Sequence, residues 1–199
     1  MPQHFETNFD AVVKTNLYER LRSSLLNDIS PVFLTGPAGS GKTTLLELLA
    51  RERASAGAPV CLISLREVLR ESDLVSLVMH GLADAYANAK IEKPQVIASS
   101  GGQALQSVVE IIRALDVAPL ILLDGFDETL NSQLILRFVR LVAKNTRALV
   151  VVAGRRTVAV DMKVFKEVLA IRAFTQEEIE ELYGASIDKS RSEEDYEPL

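Results

Sequence analysis

Cysteine is nearly absent from these 199 residues: Cys61 stands alone, so no intrachain disulfide can form. Its place in the apolar run VCLI reads as a small buried hydrophobe in a reducing compartment. Positive charge is also in deficit. The 22 Lys and Arg against 27 Asp and Glu leave a formal net charge of −5 with no basic stripe, which argues against nucleic acid as a principal ligand. No apolar run approaches the ~18 residues that a membrane span needs. The opening MPQHFETNFD has no basic segment followed by an apolar one, so no secretory leader is expected. The expectation is a soluble, cytoplasmic chain with no membrane among its partners. No internal repeat is visible, and the length suits one α/β domain with a sizeable core.

Against these absences stands Val32 to Thr44, VFLTGPAGSGKTT, where a short apolar run breaks into GPAGSGKT and continues into LLELLA. This is the Walker A, or P-loop, pattern, and its spacing has a physical reason. A triphosphate carries several negative charges in a small volume. Glycines at Gly36, Gly39 and Gly41 let the main chain wrap closely around them and turn its N–H groups inward. Lys42 then reaches the β- and γ-phosphates, and the Thr43 hydroxyl is placed to ligate Mg²⁺. A helix expected over Lys42 to Ala54 directs its positive dipole end at the same phosphates. The nucleotide-binding set is therefore Gly36, Pro37, Ala38, Gly39, Ser40, Gly41, Lys42, Thr43 and Thr44.

Around this motif the pattern alternates between helix and strand. Asp10 to Asn27 reads as an amphipathic helix, with Val13, Leu17, Leu21 and Leu25 recurring every four positions. Strands are expected at Val32 to Thr35, Val60 to Leu65, Leu120 to Leu123, Ala148 to Ala153 and Val168 to Ala173. Helices are expected over Arg66 to Asn88, with Leu69 on the apolar face, from about Gln103 to Leu115, and around Gln133 to Lys144. Pro94 and the SSGG tract make Lys90 to Gly102 a loop. In FTQEEIEEL, Thr175 and Glu178 have capping-box spacing. Uninterrupted apolar strands are covered on both faces, hence a parallel sheet between helices. The expected organisation is a helical lead-in over 1–30, an NTPase domain over 31–184, and a disordered acidic tail over 185–199.

LILLDGFDE ends its apolar strand in Asp124, where open α/β sheets bind ligands, and a carboxylate there holds Mg²⁺ through its water shell. This is a Walker B pattern. Asp127 and Glu128 follow, close enough for one of them, Asp127 first, to orient or deprotonate an attacking water. Alternatively, such acids decorate a helix first turn. Arg155 and Arg156 end the next apolar strand, where a cation can register the γ-phosphate; a solvated arginine pair is the competing reading.

Together, GPAGSGKTTLL, LILLDGFDE, VVVAGRR and AIRAFTQEEIEELY resemble the NACHT domain of the STAND class of signal-transduction ATPases. The most specific element is Gly125 after the first acid, followed by the pair Asp127 and Glu128. The resemblance covers about Leu34 to Tyr183 and implies a three-layer α/β core with a five-stranded parallel sheet of order 2-3-4-1-5. It also implies a nucleotide-controlled switch that cycles between ATP and ADP with Mg²⁺, hydrolyses slowly, and self-associates or works with further C-terminal domains. Two departures stand out. Where the family carries a Thr-Ser-Arg-Pro-like sequence, this chain has Ala153, Gly154, Arg155 and Arg156. The family's proline near the adenine and histidine near the β-phosphate come from later domains, and neither His4, His80 nor Pro198 matches them. No NKxD-like segment reads guanine, so ATP is favoured over GTP. A small-molecule P-loop kinase and an interaction module with negligible turnover are the alternatives.

Overall fold

The computed structural model describes residues 16–66, 68–91, 104–155 and 161–172. Its elements run α1 (Asn16–Leu26), β1 (Val32–Thr35), α2 (Lys42–Ser55), β2 (Val60–Ser64), α3 (Glu71–Asn88), α4 (Ala104–Ala114), β3 (Leu120–Asp124), α5 (Ser132–Asn145), β4 (Leu149–Gly154), a single 3₁₀ turn (Met162–Val164) and β5 (Glu167–Ala170). The five strands form one sheet of order β2-β3-β4-β1-β5, parallel throughout, as the sequence leads one to expect.

Alternation along each strand builds the three layers, because successive side chains leave a strand on opposite faces. Val32, Leu34, Leu120, Leu122, Val151 and Ala153 pack with α1 and α2. Phe33, Ile121, Leu123, Val150 and Val152 face the other way, into the core shared with α3, α4 and α5. β3 is buried along its whole apolar length and β4 over most of its own, which is why their sequences show no polar alternation.

Helix α1 belongs to this core. Leu21 and Leu25 are fully buried and Tyr18 nearly so, while the polar rim of the helix is tied at two places. The Tyr18 hydroxyl donates to the Glu52 carboxylate of α2, and Arg22 Nε lies 2.7 Å from Glu52 Oε1. Ser24 donates to the Glu167 carboxylate of β5. Burial, then the Glu52 hydrogen bond, push the Tyr18 hydroxyl pKa well up, so this donor keeps its proton across the physiological range.

One helix starts later than its periodicity suggests. The segment expected to be helical from Arg66 begins as α3 only at Glu71, because Asp73 Oδ2 accepts from the main-chain N–H groups of Leu69 and Arg70, at 3.1 and 2.7 Å, and fixes the helix start there. Leu69 is consequently 55% exposed instead of packed. β5 spans Glu167–Ala170, one residue earlier than expected at its start. The Lys90 to Gly102 loop beyond Ile91, Arg156, Ala173, the Thr175–Glu178 box and the tail fall outside the described residues. Among the described residues no helix is long and apolar enough to cross a membrane.

Candidate functional site

Since all strands run the same way, Thr35, Ser64, Asp124, Gly154 and Ala170 end at one edge of the sheet. From Thr35 the chain turns through residues 36–41 into α2. Gly39 and Gly41 hold φ of +73° and +83°, left-handed values that cost any residue with a Cβ about 1–2 kcal/mol. The helix begins at once, with Leu45 N donating to Gly41 O at 2.9 Å, so its first-turn N–H groups remain to face a ligand. Lys42 Nζ donates to the carbonyls of Gly36 (2.9 Å) and Pro37 (2.7 Å), which brace the lysine across the loop.

The same first turn of α2 meets the end of β3. Thr43 Oγ1 donates to Asp124 Oδ2 at 2.7 Å, joining a hydroxyl and a carboxylate from two motifs 81 residues apart. Beyond Asp124 the chain makes a tight turn, with Gly125 at φ +78° and Glu128 N donating to Gly125 O. Phe126 N donates to Ala153 O at 2.9 Å, and its ring packs edge-on against Phe33. These contacts fix the two acids that follow. α5 starts only at Ser132, capped by Asn131, so neither Asp127 nor Glu128 stands in a helix first turn.

Asp127 is committed. Its side chain is 7% exposed. Oδ1 accepts from Arg155 N at 2.6 Å, and Oδ2 accepts from Arg155 Nε. Burial opposes its charge, but the side-chain and main-chain bonds from Arg155 outweigh that and hold the carboxyl below the usual carboxylate range. The same contact raises the Arg155 guanidinium pKa. Gly154 makes room for this arrangement: a Cβ there would lie 2.8 Å from Phe126 Cβ and 3.1 Å from Asp127 Oδ1. A side chain at position 154, where the family's Thr-Ser-Arg-Pro-like sequence carries one, would therefore crowd Phe126 and Asp127 here.

Glu128 is held differently. It pairs with Arg66, through a contact from Nε and a second at 3.3 Å, and the two side chains are 37% and 66% exposed. Arg66 follows Leu65, whose N–H bonds Asp124 O at 2.8 Å and extends the β2–β3 pairing. Thr129 Oγ1 donates to Val68 O at 3.0 Å and joins the same two loops again.

A cavity of about 410 Å³ opens between these walls. Of the residues expected from sequence, Ala38, Gly39, Ser40, Gly41, Lys42, Thr43, Thr44, Asp124, Asp127, Glu128 and Arg155 line it. Gly36 and Pro37 lie outside that lining and act through the carbonyls that hold Lys42. Arg66 and Gly154 line it as well, and sequence reasoning gave them no role. The available signal for Arg66 was its place as the first charge after an apolar strand, VCLISLR, which a parallel sheet brings to the ligand edge.

A glycine-rich turn from strand to helix, carrying a lysine and facing an aspartate at the end of another strand of the same parallel sheet, defines a nucleotide-binding P-loop NTPase. The chain belongs to the NACHT family: the model of the NACHT domain matches residues 30–186. A search of the curated proteins returns no match. Among solved structures, the chain is similar to Cdc6p from Pyrobaculum aerophilum, at 18% identity and a TM-score of 0.62 over 96% of this chain and 51% of that one. It is likewise similar to the Aeropyrum pernix ORC1 protein in complex with DNA (20%, TM-score 0.57, 92% and 50%) and to Drosophila ORC bound to DNA (14%, TM-score 0.64, 88% and 47%). At these identities the likeness is one of fold, and the chain spans about half the length of each.

Proposed function

We propose that this domain binds ATP with Mg²⁺, hydrolyses it slowly, and serves as a nucleotide-controlled signalling switch. The observation that carries the reading is the 2.7 Å contact between Thr43 and Asp124 beside the lysine-bearing loop. A hydroxyl and a carboxylate held together form a hard-oxygen donor pair that suits Mg²⁺, an ion that takes one or two protein oxygens and leaves its other positions to phosphate and water. Among the described residues no group of three or more His, Cys, Asp or Glu side chains is placed to hold a metal by itself, which fits an ion delivered with the nucleotide. When bound, Mg²⁺ neutralises charge on the β- and γ-phosphates.

The chain's own residues do the rest. The main-chain N–H groups from Ala38 to Thr44 gather phosphate oxygens, and Lys42 exchanges the Gly36 and Pro37 carbonyls for the β- and γ-phosphates. Arg155 donates Nε–H to Asp127 Oδ2, which leaves the terminal N–H groups of that guanidinium as donors for a γ-phosphate. Buried and bonded by a main-chain N–H as well as a side chain, Asp127 is the residue that positions Arg155. The acid that orients water is then Glu128, whose bonds come from one exposed side chain. Both acids engaged by arginines accord with slow turnover.

Titration with fluorescently labelled ATP, with Mg²⁺ and with EDTA, combined with a phosphate-release assay, tests this. Magnesium-dependent binding with slow phosphate release is expected. Binding without any release would leave an interaction module with negligible turnover, and no binding would remove the reading altogether.

A further inference from the structure

We propose that Arg66, in addition to Lys42 and Arg155, is a residue by which this site distinguishes ATP from ADP, and that the γ-phosphate acts on it by taking Arg66 away from Glu128. The inference rests on the nucleotide-binding reading above.

Both residues line the cavity that the P-loop lines. Their main chains are fixed: Leu65 N is bonded to Asp124 O and Glu128 N to Gly125 O, while Thr129 is bonded to Val68 O. Two long side chains therefore meet from anchored positions on neighbouring loops. Their pair is exposed on both sides, 66% for Arg66 and 37% for Glu128, and exposed pairs are weak because water competes for each partner. A terminal phosphate accepts the same guanidinium fork as a carboxylate and carries more charge, so it wins that competition when it comes within reach.

Position decides which phosphate does so. The loop amides and Lys42 hold the phosphates at the start of α2, and the water that attacks the γ-phosphorus must approach from the side away from the leaving oxygen. An acid serving that water stands on the γ side, and Arg66 is bound to that acid. ADP has no group there. With ADP, Arg66 stays on Glu128 and the carboxylate is occupied; with ATP, Arg66 turns to the γ-phosphate and Glu128 is released to accept a hydrogen bond from water. The contrast with Asp127 supports the assignment, because that carboxylate is 7% exposed and bonded to a main-chain N–H, and cannot be released by swinging one side chain.

The test uses the full chain, with labelled ATP and ADP titrated in parallel in the presence of Mg²⁺. Arg66→Ala should weaken ATP about tenfold or more while ADP stays within about twofold, the loss expected of one charge-assisted contact. Arg66→Lys keeps the charge without the fork and should recover part of the ATP preference. Glu128→Gln removes the competitor, so ATP should bind more tightly than to wild type with ADP unchanged. Equal weakening of both nucleotides by Arg66→Ala, or no change in either, overturns the proposal, as does an ATP preference untouched by Glu128→Gln. The broader reading fails separately: it falls if the wild-type chain binds neither nucleotide, whereas wild-type binding with an unmoved ATP-to-ADP ratio in the variants sinks only the role of Arg66.

Discussion

On one side of the cavity the P-loop keeps its shape through the main chain: glycines at left-handed φ, a helix start at Lys42, and carbonyls that brace the lysine. On the other side the carboxylates of Asp127 and Glu128 are each held by the side chain of an arginine from a different loop, Asp127 by the Arg155 main-chain N–H as well. A main-chain cradle accepts any polyphosphate and changes little when it does. Ion pairs between side chains can be exchanged, and it is on the second wall that the proposed reading of phosphate number by Arg66 rests. Within that wall the two acids differ again: Asp127 is buried and anchored, and Glu128 is exposed and exchangeable.

Substitutions at the acids test this division most sharply. Glu128→Gln should retain ATP binding at the P-loop wall yet slow single-turnover phosphate release by about 10²- to 10⁴-fold, the usual worth of a positioned acid or base. If release proceeds at the wild-type rate, the water-orienting role passes back to Asp127. A smaller effect is expected where Asp127 is seated. Gly154→Ser forces a Cβ into the 2.8 to 3.1 Å gap beside Phe126 and Asp127, which should destabilise the fold by about 1–3 kcal/mol. Unchanged urea midpoints for that variant would show that the turn yields freely and that Gly154 is not there for space.

The smallest effect is pH-dependent. Arg155 holds the Asp127 carboxyl below its ordinary pKa, so its stabilising contribution is present above the unfolded-state value and is lost as pH falls through the lower folded-state value. Asp127→Asn should cost about 1 kcal/mol at pH 7, a figure reduced because Arg155 is half exposed. The gap from wild type should close as pH falls below that of an ordinary aspartate. A gap in urea midpoint that persists undiminished in acid would mean that the carboxylate charge is not what matters.

How much of this was legible in the sequence follows from which interactions are local. The strand order, the P-loop and the end of β3 at Asp124 leave strong traces, because buried parallel strands need unbroken apolar runs and phosphate loops need glycine at fixed spacing. The partners of the acids leave almost none. Arg66 is 62 residues from Glu128, and only the sheet order β2-β3 brings them together. Periodicity misplaced the start of α3 because Leu69 fits the apolar spacing, whereas Asp73 claims the two N–H groups that end the loop. In the same way, Gly154 reads as a weakened motif in one dimension and as room for Asp127 in three.

Lys42 is the residue on which nucleotide binding depends most, and one titration tests it most directly. Labelled ATP with Mg²⁺ should bind the wild-type chain about 10- to 150-fold more tightly than Lys42→Ala, the difference expected when a charge-assisted contact to phosphate is lost. Since among the described residues Lys42 bonds only loop carbonyls and the Ser40 hydroxyl, the variant should keep its fold, as its thermal transition will show. Equal affinities for the two folded proteins would contradict the claim that this loop is where the nucleotide is held.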